Sequence, residues 1–176
     1  MSHKSEETRR RILDAALTLF RAGGFDETTM RDIAQAAGVA VGAAYYYFES
    51  KEAIVLAFYH QAQEAMAPLL QEALIRETKL DRRLQALLDV KFDQFRPNRS
   101  LLGALASQVD PRKPLSPFSQ ATKIIRDQDI ATFEQALDGS NVRIPPDLRK
   151  HLPRVLWMFQ MGVILFWIFD HYRDQP

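Results

Sequence analysis

Apolar residues in this chain recur at helical spacing from end to end, and nowhere do they sustain the alternation of a strand. Leu13, Ala16, Leu17 and Phe20 fall at i, i+3, i+4 and i+7, which places them on one face of a helix expected over residues 5–22. Gly23 and Gly24 follow and end it, because glycine reaches the left-handed backbone region without a steric penalty. A second helix opens at Thr28-Thr29, where Thr29 and Asp32 stand three apart in a capping pattern. Its apolar face is Met30, Ile33, Ala34 and Ala37, and Gly38 stops it. A short third helix spans Val41 to Tyr47, and Ser50 caps a fourth that begins Lys51-Glu52-Ala53-Ile54.

The fourth helix is long and amphipathic, and Pro68 is expected to kink or break it, since proline lacks the donor an interior helical position needs. Leu80, Leu84, Leu87, Leu88, Lys91, Phe92 and Phe95 mark a fifth helix ending near Pro97. The stretch 101–109 is short and apolar. Asp110 to Pro117 holds three prolines in eight residues and is a loop. A helix is expected from Phe118 to Leu137, ended at Gly139, and a last one from Asp147 to Tyr172. The class is all-α. A compact N-terminal group of short helices (residues 1–50) precedes a bundle of longer ones (residues 51–176).

Composition excludes several functions. The chain has no cysteine, so disulfide scaffolds and thiolate metal sites are ruled out. His3, His60, His151 and His171 are scattered, and none pairs with another at metal-ligand spacing. No glycine-rich phosphate loop and no nucleophile–base pair is visible, so the expectation is a protein that is not an enzyme, with no metal. Apolar residues make up 47% of the chain, enough for a sizeable core. The net charge is +1, and over residues 1–51 seven Lys and Arg balance seven Asp and Glu. Any nucleic-acid affinity must therefore rest on a few placed donors rather than on a broad basic field. The most apolar run, Val155 to Phe169, has 15 residues and contains Gln160 and Gly162. That is shorter than the about 20 apolar residues a spanning helix needs, so it reads as a buried or intersubunit helix. The N-terminus lacks the features of a signal peptide, and the expected compartment is the cytoplasm, with no membrane partner.

The informative unit is the second helix, Gly38 and the third helix. Two short helices joined by a tight glycine turn form a helix-turn-helix, whose second helix enters the DNA major groove. The third helix carries Ala40, Val41, Gly42, Ala43 and Ala44, followed by Tyr45, Tyr46, Tyr47 and Phe48. Small side chains let a helix approach base edges closely. Four consecutive aromatic residues cannot all face one core, so at least one of the three tyrosines points outward, where its hydroxyl can meet a phosphate. Phe48 is the one assigned to the core.

With these elements in order, the stretch from Ser5 to Leu56 resembles the TetR family of bacterial transcriptional regulators. The resemblance rests on "RRRILDAALTLFRAGGF", then "TTMRDIAQAAGV", then "GAAYYYFESKE". It implies a homodimer that sets its third helices into successive major grooves of a double-stranded palindromic operator, about 34–36 Å apart. It also implies a C-terminal bundle that binds a small, mostly apolar effector and couples its binding to repression. Carried over by position, Thr29, Tyr45, Tyr47 and Lys51 fall where the family contacts phosphates. Arg31, Val41, Gly42 and Ala43 fall where it meets base edges, with Ala40 and Tyr46 beside them. Arg31 is the one residue there suited to a bidentate guanine contact. Ala40 departs from the serine or threonine common in the family, and Ala43 and Ala44 from larger residues. The family commonly has two long C-terminal helices at its dimer interface, whereas this sequence shows one. In the bundle, Phe92, Phe95, Phe133, Trp157 and Met158 are candidate pocket residues. Phe159, Val163, Phe166 and Trp167 are the candidate intersubunit seam. A reading from a different class remains beside this one: a helical protein-interaction or membrane-surface module without sequence-specific DNA binding, favoured by the apolar last helix and the near-neutral charge.

Overall fold

A computed structural model describes residues 3–170; the expected end of the last helix at Tyr172, and His171, lie outside the described residues. The helices are α1 (His3–Gly23), α2 (Met30–Ala36), α3 (Val41–Tyr47), α4 (Lys51–Arg76), α5 (Leu80–Phe95), α6 (Arg99–Ala104), α7 (Lys123–Asp138), α8 (Pro146–Arg149) and α9 (Leu152–Phe169). Short 3-10 turns at Arg96–Asn98 and Ala106–Gln108 flank α6, and no strand occurs among the described residues.

The chain packs as two compact units. The first runs to His60 and takes in Ser100–Thr122; the second comprises Gln61–Arg99 and the chain from Lys123 onward. The expected boundary at residue 50 falls inside the first unit, because the first ten residues of α4 pack there: Ile54 and Val55 are fully buried with the α1–α3 core.

In the first unit, α1 buries Ile12, Leu13, Ala16, Leu17 and Phe20. Gly24 ends it at φ +86°, and the Phe25 ring packs 5.2 Å from that of Phe20. Thr29 caps α2 in a reciprocal box with Asp32. Gly38, at φ +64°, turns the chain into α3. Ala44 is the one fully buried residue of α3. Phe48 is buried as expected, with the Arg9 guanidinium 4.7 Å above its ring. Ser50 Oγ accepts from the Ala53 amide at 3.2 Å and starts α4. Leu101, Leu105 and Leu115 complete this core.

The helix expected from Phe118 begins only at Lys123. Ser116 donates to the Val109 carbonyl at 2.7 Å, Ser119 to the Pro114 carbonyl at 2.7 Å and Thr122 to the Ser116 carbonyl at 2.6 Å. These hydroxyls bind local carbonyls and hold the segment as consecutive turns.

The second unit is a helical bundle. Met66, Leu70, Leu74, Leu87, Phe133, Ala136 and Trp157 form its core. The break expected at Pro68 does not occur: α4 continues through it to Arg76. Pro68 is exposed, while Met66, Leu70 and Leu74 on the buried face hold the helix on either side of it. The last helix is also not one piece. α8 ends at Arg149 and α9 restarts at Leu152, with Pro153 in its first turn. A proline fits there because a first-turn amide has no intrahelical partner to lose.

Candidate functional site

Local chemistry builds the helix-turn-helix. The Thr29 side chain accepts from the Asp32 amide at 3.2 Å, and Asp32 Oδ2 accepts from the Thr29 amide at 2.9 Å and from its hydroxyl at 2.6 Å. The side-chain bond from Thr29, then the backbone bond, holds the Asp32 carboxyl below its ordinary range. Thr29, expected at a phosphate, has its hydroxyl proton directed at Asp32 within the cap. Arg31, on the outer side of the same turn, is exposed.

Within α3, Val41, Gly42, Tyr45 and Tyr46 are exposed, and so is Ala40 at its start; Ala43 is half-buried. The tyrosines divide by position on the helix. Tyr46 is 82% exposed and Tyr45 51%. Tyr47 turns toward α1 and its hydroxyl donates to Ser5 Oγ at 3.3 Å, so of the two tyrosines carried over as phosphate contacts only Tyr45 presents an uncommitted hydroxyl. The Tyr46 ring stands edge-on to that of Tyr47 at 5.2 Å, which supports the most exposed ring from behind. The outward surface is thus Arg31 of α2 with the small residues and Tyr45 and Tyr46 of α3.

Lys51, expected at a phosphate, is engaged within its own chain. Its Nζ donates to the carbonyls of Phe25 at 2.7 Å, Asp26 at 3.0 Å and Thr28 at 3.2 Å, which uses all three ammonium protons. It fastens the start of α4 to the loop before α2. Nothing in the sequence places those carbonyls near residue 51, since they lie 23 to 26 positions away.

In the second unit, Phe133 and Trp157 are buried in the core and Phe95 packs against it. Phe92 packs edge-on against Trp167 at 5.4 Å. Met158, the other expected pocket residue of α9, is 60% exposed and lies off the helix's inner face. The inner face is Pro153, Trp157, Gln160 and Ile164. The outer face carries Val155, Phe159, Gly162, Phe166 and Phe169, all exposed. Their spacing of four, three, four and three is that of a helix–helix seam. Phe159 and Phe166 of the expected seam are on it, at 62% and 71% exposure, and Val163 is half-buried beside it. Trp167, half-buried, has its ring held between Phe92 and the Arg99 guanidinium, 5.3 Å away, within its own chain. By length and composition α9 is long and apolar enough to cross a membrane, with mean hydropathy 1.6 and 22% of the span buried.

Three buried charges went unread in the sequence. Arg83 donates to the carbonyls of Leu74 (2.5 Å), Glu77 (2.6 Å), Ala136 (2.8 Å) and Gln135 (3.0 Å). It thereby closes the C-terminal ends of α4 and α7, where unpaired carbonyls carry partial negative charge. Lys91 pairs with Asp129 at 2.7 Å, both buried. The one available signal was Lys91 itself, a charge standing in the apolar stripe of α5, four residues after Leu87.

The model of bacterial regulatory proteins of the tetR family matches residues 12–58. The model of the tetracyclin repressor-like C-terminal domain matches residues 83–175. The HTH-type transcriptional repressor KstR2 of Rhodococcus jostii is 51% identical over 146 residues, covering 82% of this chain and 51% of the relative. The chain spans about half the length, or less, of the curated relatives it matches. Among solved structures, NalD, the secondary repressor of the MexAB-OprM multidrug efflux pump in Pseudomonas aeruginosa, superposes with TM-score 0.65 at 26% identity over 99% of this chain and 90% of that one. FadR from Bacillus subtilis, solved with stearoyl-CoA, superposes with TM-score 0.73 at 16% identity over 94% of this chain and 89% of that one, and shows the same fold.

Proposed function

Because this chain belongs to the TetR family of bacterial transcriptional regulators, we propose that it is a cytoplasmic, ligand-responsive repressor that binds a palindromic operator as a homodimer. One observation carries the reading: the outward face of the α2–Gly38–α3 unit is built for a groove. Val41 and Gly42 form a low surface at the start of α3, and Tyr45 and Tyr46 stand above it with exposed rings. Low side chains admit the helix to the base edges, and flanking hydroxyls suit the phosphate walls. KstR2 and NalD are named as repressors, which favours repression over activation. Arg31 reads a base edge, and Tyr45 and Tyr46 meet phosphates.

The exposed seam on α9 supports the dimer. Five positions at coiled-coil spacing leave a continuous apolar stripe uncovered in one chain, and a second copy buries it by two-fold symmetry. Gly162 lies in the middle of the stripe with open space where a Cβ would be, which lets two helices approach closely. The bundle core around Phe133 and Trp157 is where a mostly apolar effector is expected. Its binding shifts the dimer toward a state that no longer fits the operator.

Selection of bound fragments from sheared bacterial DNA, followed by gel shift, tests the reading. Recovery of a shared inverted repeat supports it. Retention of no fragment at low salt refutes it. The membrane-surface reading rests on the apolarity of α9 and the near-neutral net charge. Flotation with liposomes decides it, and the seam geometry leads us to expect protein in the unbound fraction.

A further inference from the structure

The second unit carries a polar layer inside its apolar bundle. Gln63 of α4, Lys91 of α5 and Asp129 of α7 meet there: Lys91 Nζ and Gln63 Nε2 both donate to Asp129 Oδ1, at 2.7 Å and 3.1 Å. All three are buried. Gln160 of α9 is fully buried, and neither its amide nitrogen nor its amide oxygen has a hydrogen-bond partner among the described residues.

Helical spacing puts Gln160, like the other three, about one turn from the same core cluster. Met66, Leu87, Phe133 and Trp157 belong to one core cluster. Gln63 is three residues before Met66, Lys91 four after Leu87, and Asp129 four before Phe133, so each lies one turn beyond the cluster. Their mutual hydrogen bonds show that they lie beyond the same end. Arg149 of α8 is bonded to the Asp138 carboxylate and to the Glu134 carbonyl at the C-terminal end of α7. α9 therefore starts at that end and packs back along α7. Gln160, three residues after Trp157, runs away from the start of α9 toward the level of Asp129.

A buried amide with both atoms unpaired is rare in folded proteins, because each loses its water without gaining a partner. The Lys91–Asp129 pair is internally neutralised, and a ligand carrying its own ion would bury an uncompensated charge beside it. Gln160 offers a donor and an acceptor together, so its complement offers an acceptor and a donor together. The residues one turn away, Met66, Leu87, Phe133 and Trp157, are apolar and complement an apolar body. We infer that Gln160, set beside the neutral Lys91–Asp129–Gln63 cluster, is the polar anchor of the effector site, and that the effector carries an uncharged donor–acceptor group, an amide or hydroxyl, on an apolar body. The inference rests on the regulator reading above and adds the class of ligand.

The test titrates the full chain with decanamide, methyl decanoate and decanoate, which share a chain length and differ at the head. Decanamide both donates and accepts, the ester only accepts, and decanoate is an anion. Decanamide is expected to bind about tenfold more tightly than the ester, and decanoate at pH 8 most weakly. Gln160→Leu is expected to remove the tenfold preference for decanamide over the ester, and to melt no lower than the unaltered protein, because an unpaired amide leaves the core. Equal affinity for amide and ester in the unaltered protein overturns the inference, as does a preference that survives in Gln160→Leu. Either result leaves an apolar effector site, and so the regulator reading, standing. Binding of none of the three, with DNA binding intact, overturns both the anchor and the effector site while sparing the operator. The ranking of the three probes on the unaltered protein requires no variant to fold.

Discussion

Lys51 stands over the ring of Phe25, its Nζ 4.5 Å from the ring centroid, and donates to the carbonyl of that same residue at 2.7 Å. With Asp26 and Thr28 accepting the other two protons, the ammonium group closes the loop that delivers the chain to α2. Lys51→Ala is expected to destabilise the first unit by about 1.5–3 kcal/mol, the range for hydrogen bonds to a charged group. The slope of log K against log salt should stay unchanged, because all three ammonium protons are already bonded within the chain. Urea unfolding and a salt series of DNA-binding titrations measure the two effects; a slope reduced by about 1 assigns Lys51 to a phosphate instead.

Tyr46 and Tyr47 are neighbours in sequence with different fates. Tyr46→Phe is expected to weaken binding to every DNA sequence at least about tenfold, the loss of one hydrogen bond to an ionised phosphate, about 1.5–3 kcal/mol, with no change in melting temperature. Tyr47→Phe should lower the melting temperature slightly through the lost bond to Ser5. The opposite pattern assigns the phosphate contact to Tyr47.

Arg31→Ala should act at one place in the operator. Preference at a single base pair is expected to fall by about 1–3 kcal/mol, read by a binding competition across single-base variants of the selected site. A uniform loss across all variants makes Arg31 a phosphate contact.

The seam on α9 gives a prediction about assembly. Phe166 is 71% exposed in the single chain, so Phe166→Asp removes little that holds one chain together. It should weaken the dimer at least about thirtyfold, as expected of a central aromatic anchor worth 2 kcal/mol or more. Sedimentation equilibrium measures this directly, and an unchanged dissociation constant places the dimer contact elsewhere.

Burial raises the Tyr59 phenol above its ordinary range. The unfolded chain then loses its phenolic proton first, at a pH of about 10, where the folded chain still keeps its own. The contribution of Tyr59 is complete below that pH and declines as pH rises above it. Melting curves from pH 8.5 upward are expected to show falling stability beyond about pH 10, with a shallower fall in Tyr59→Phe. An equal fall in both proteins traces the alkaline loss to other groups.

What could be read from the sequence was what neighbours along the chain decide. The Thr29–Asp32 cap, Gly38 in the left-handed region, the bounds of α3 and the Ser50 cap involve groups within four residues of one another. Helical spacing alone also identified the buried faces of α1 and α2. Tertiary structure decided where the long charged side chains end. Arg83 and Lys91 stand on the buried face of α5 and Lys51 opens α4, and each turns inward because partners arrive from segments distant in sequence. It also decided that α4 continues through Pro68 and that α7 starts late. Buried neighbours hold a helix across one missing hydrogen bond, and hydroxyl groups divert carbonyls from a helix that spacing alone would begin. Local hydrogen bonds and periodicity need only the order of residues; the place of a charge depends on what the folded chain brings to it.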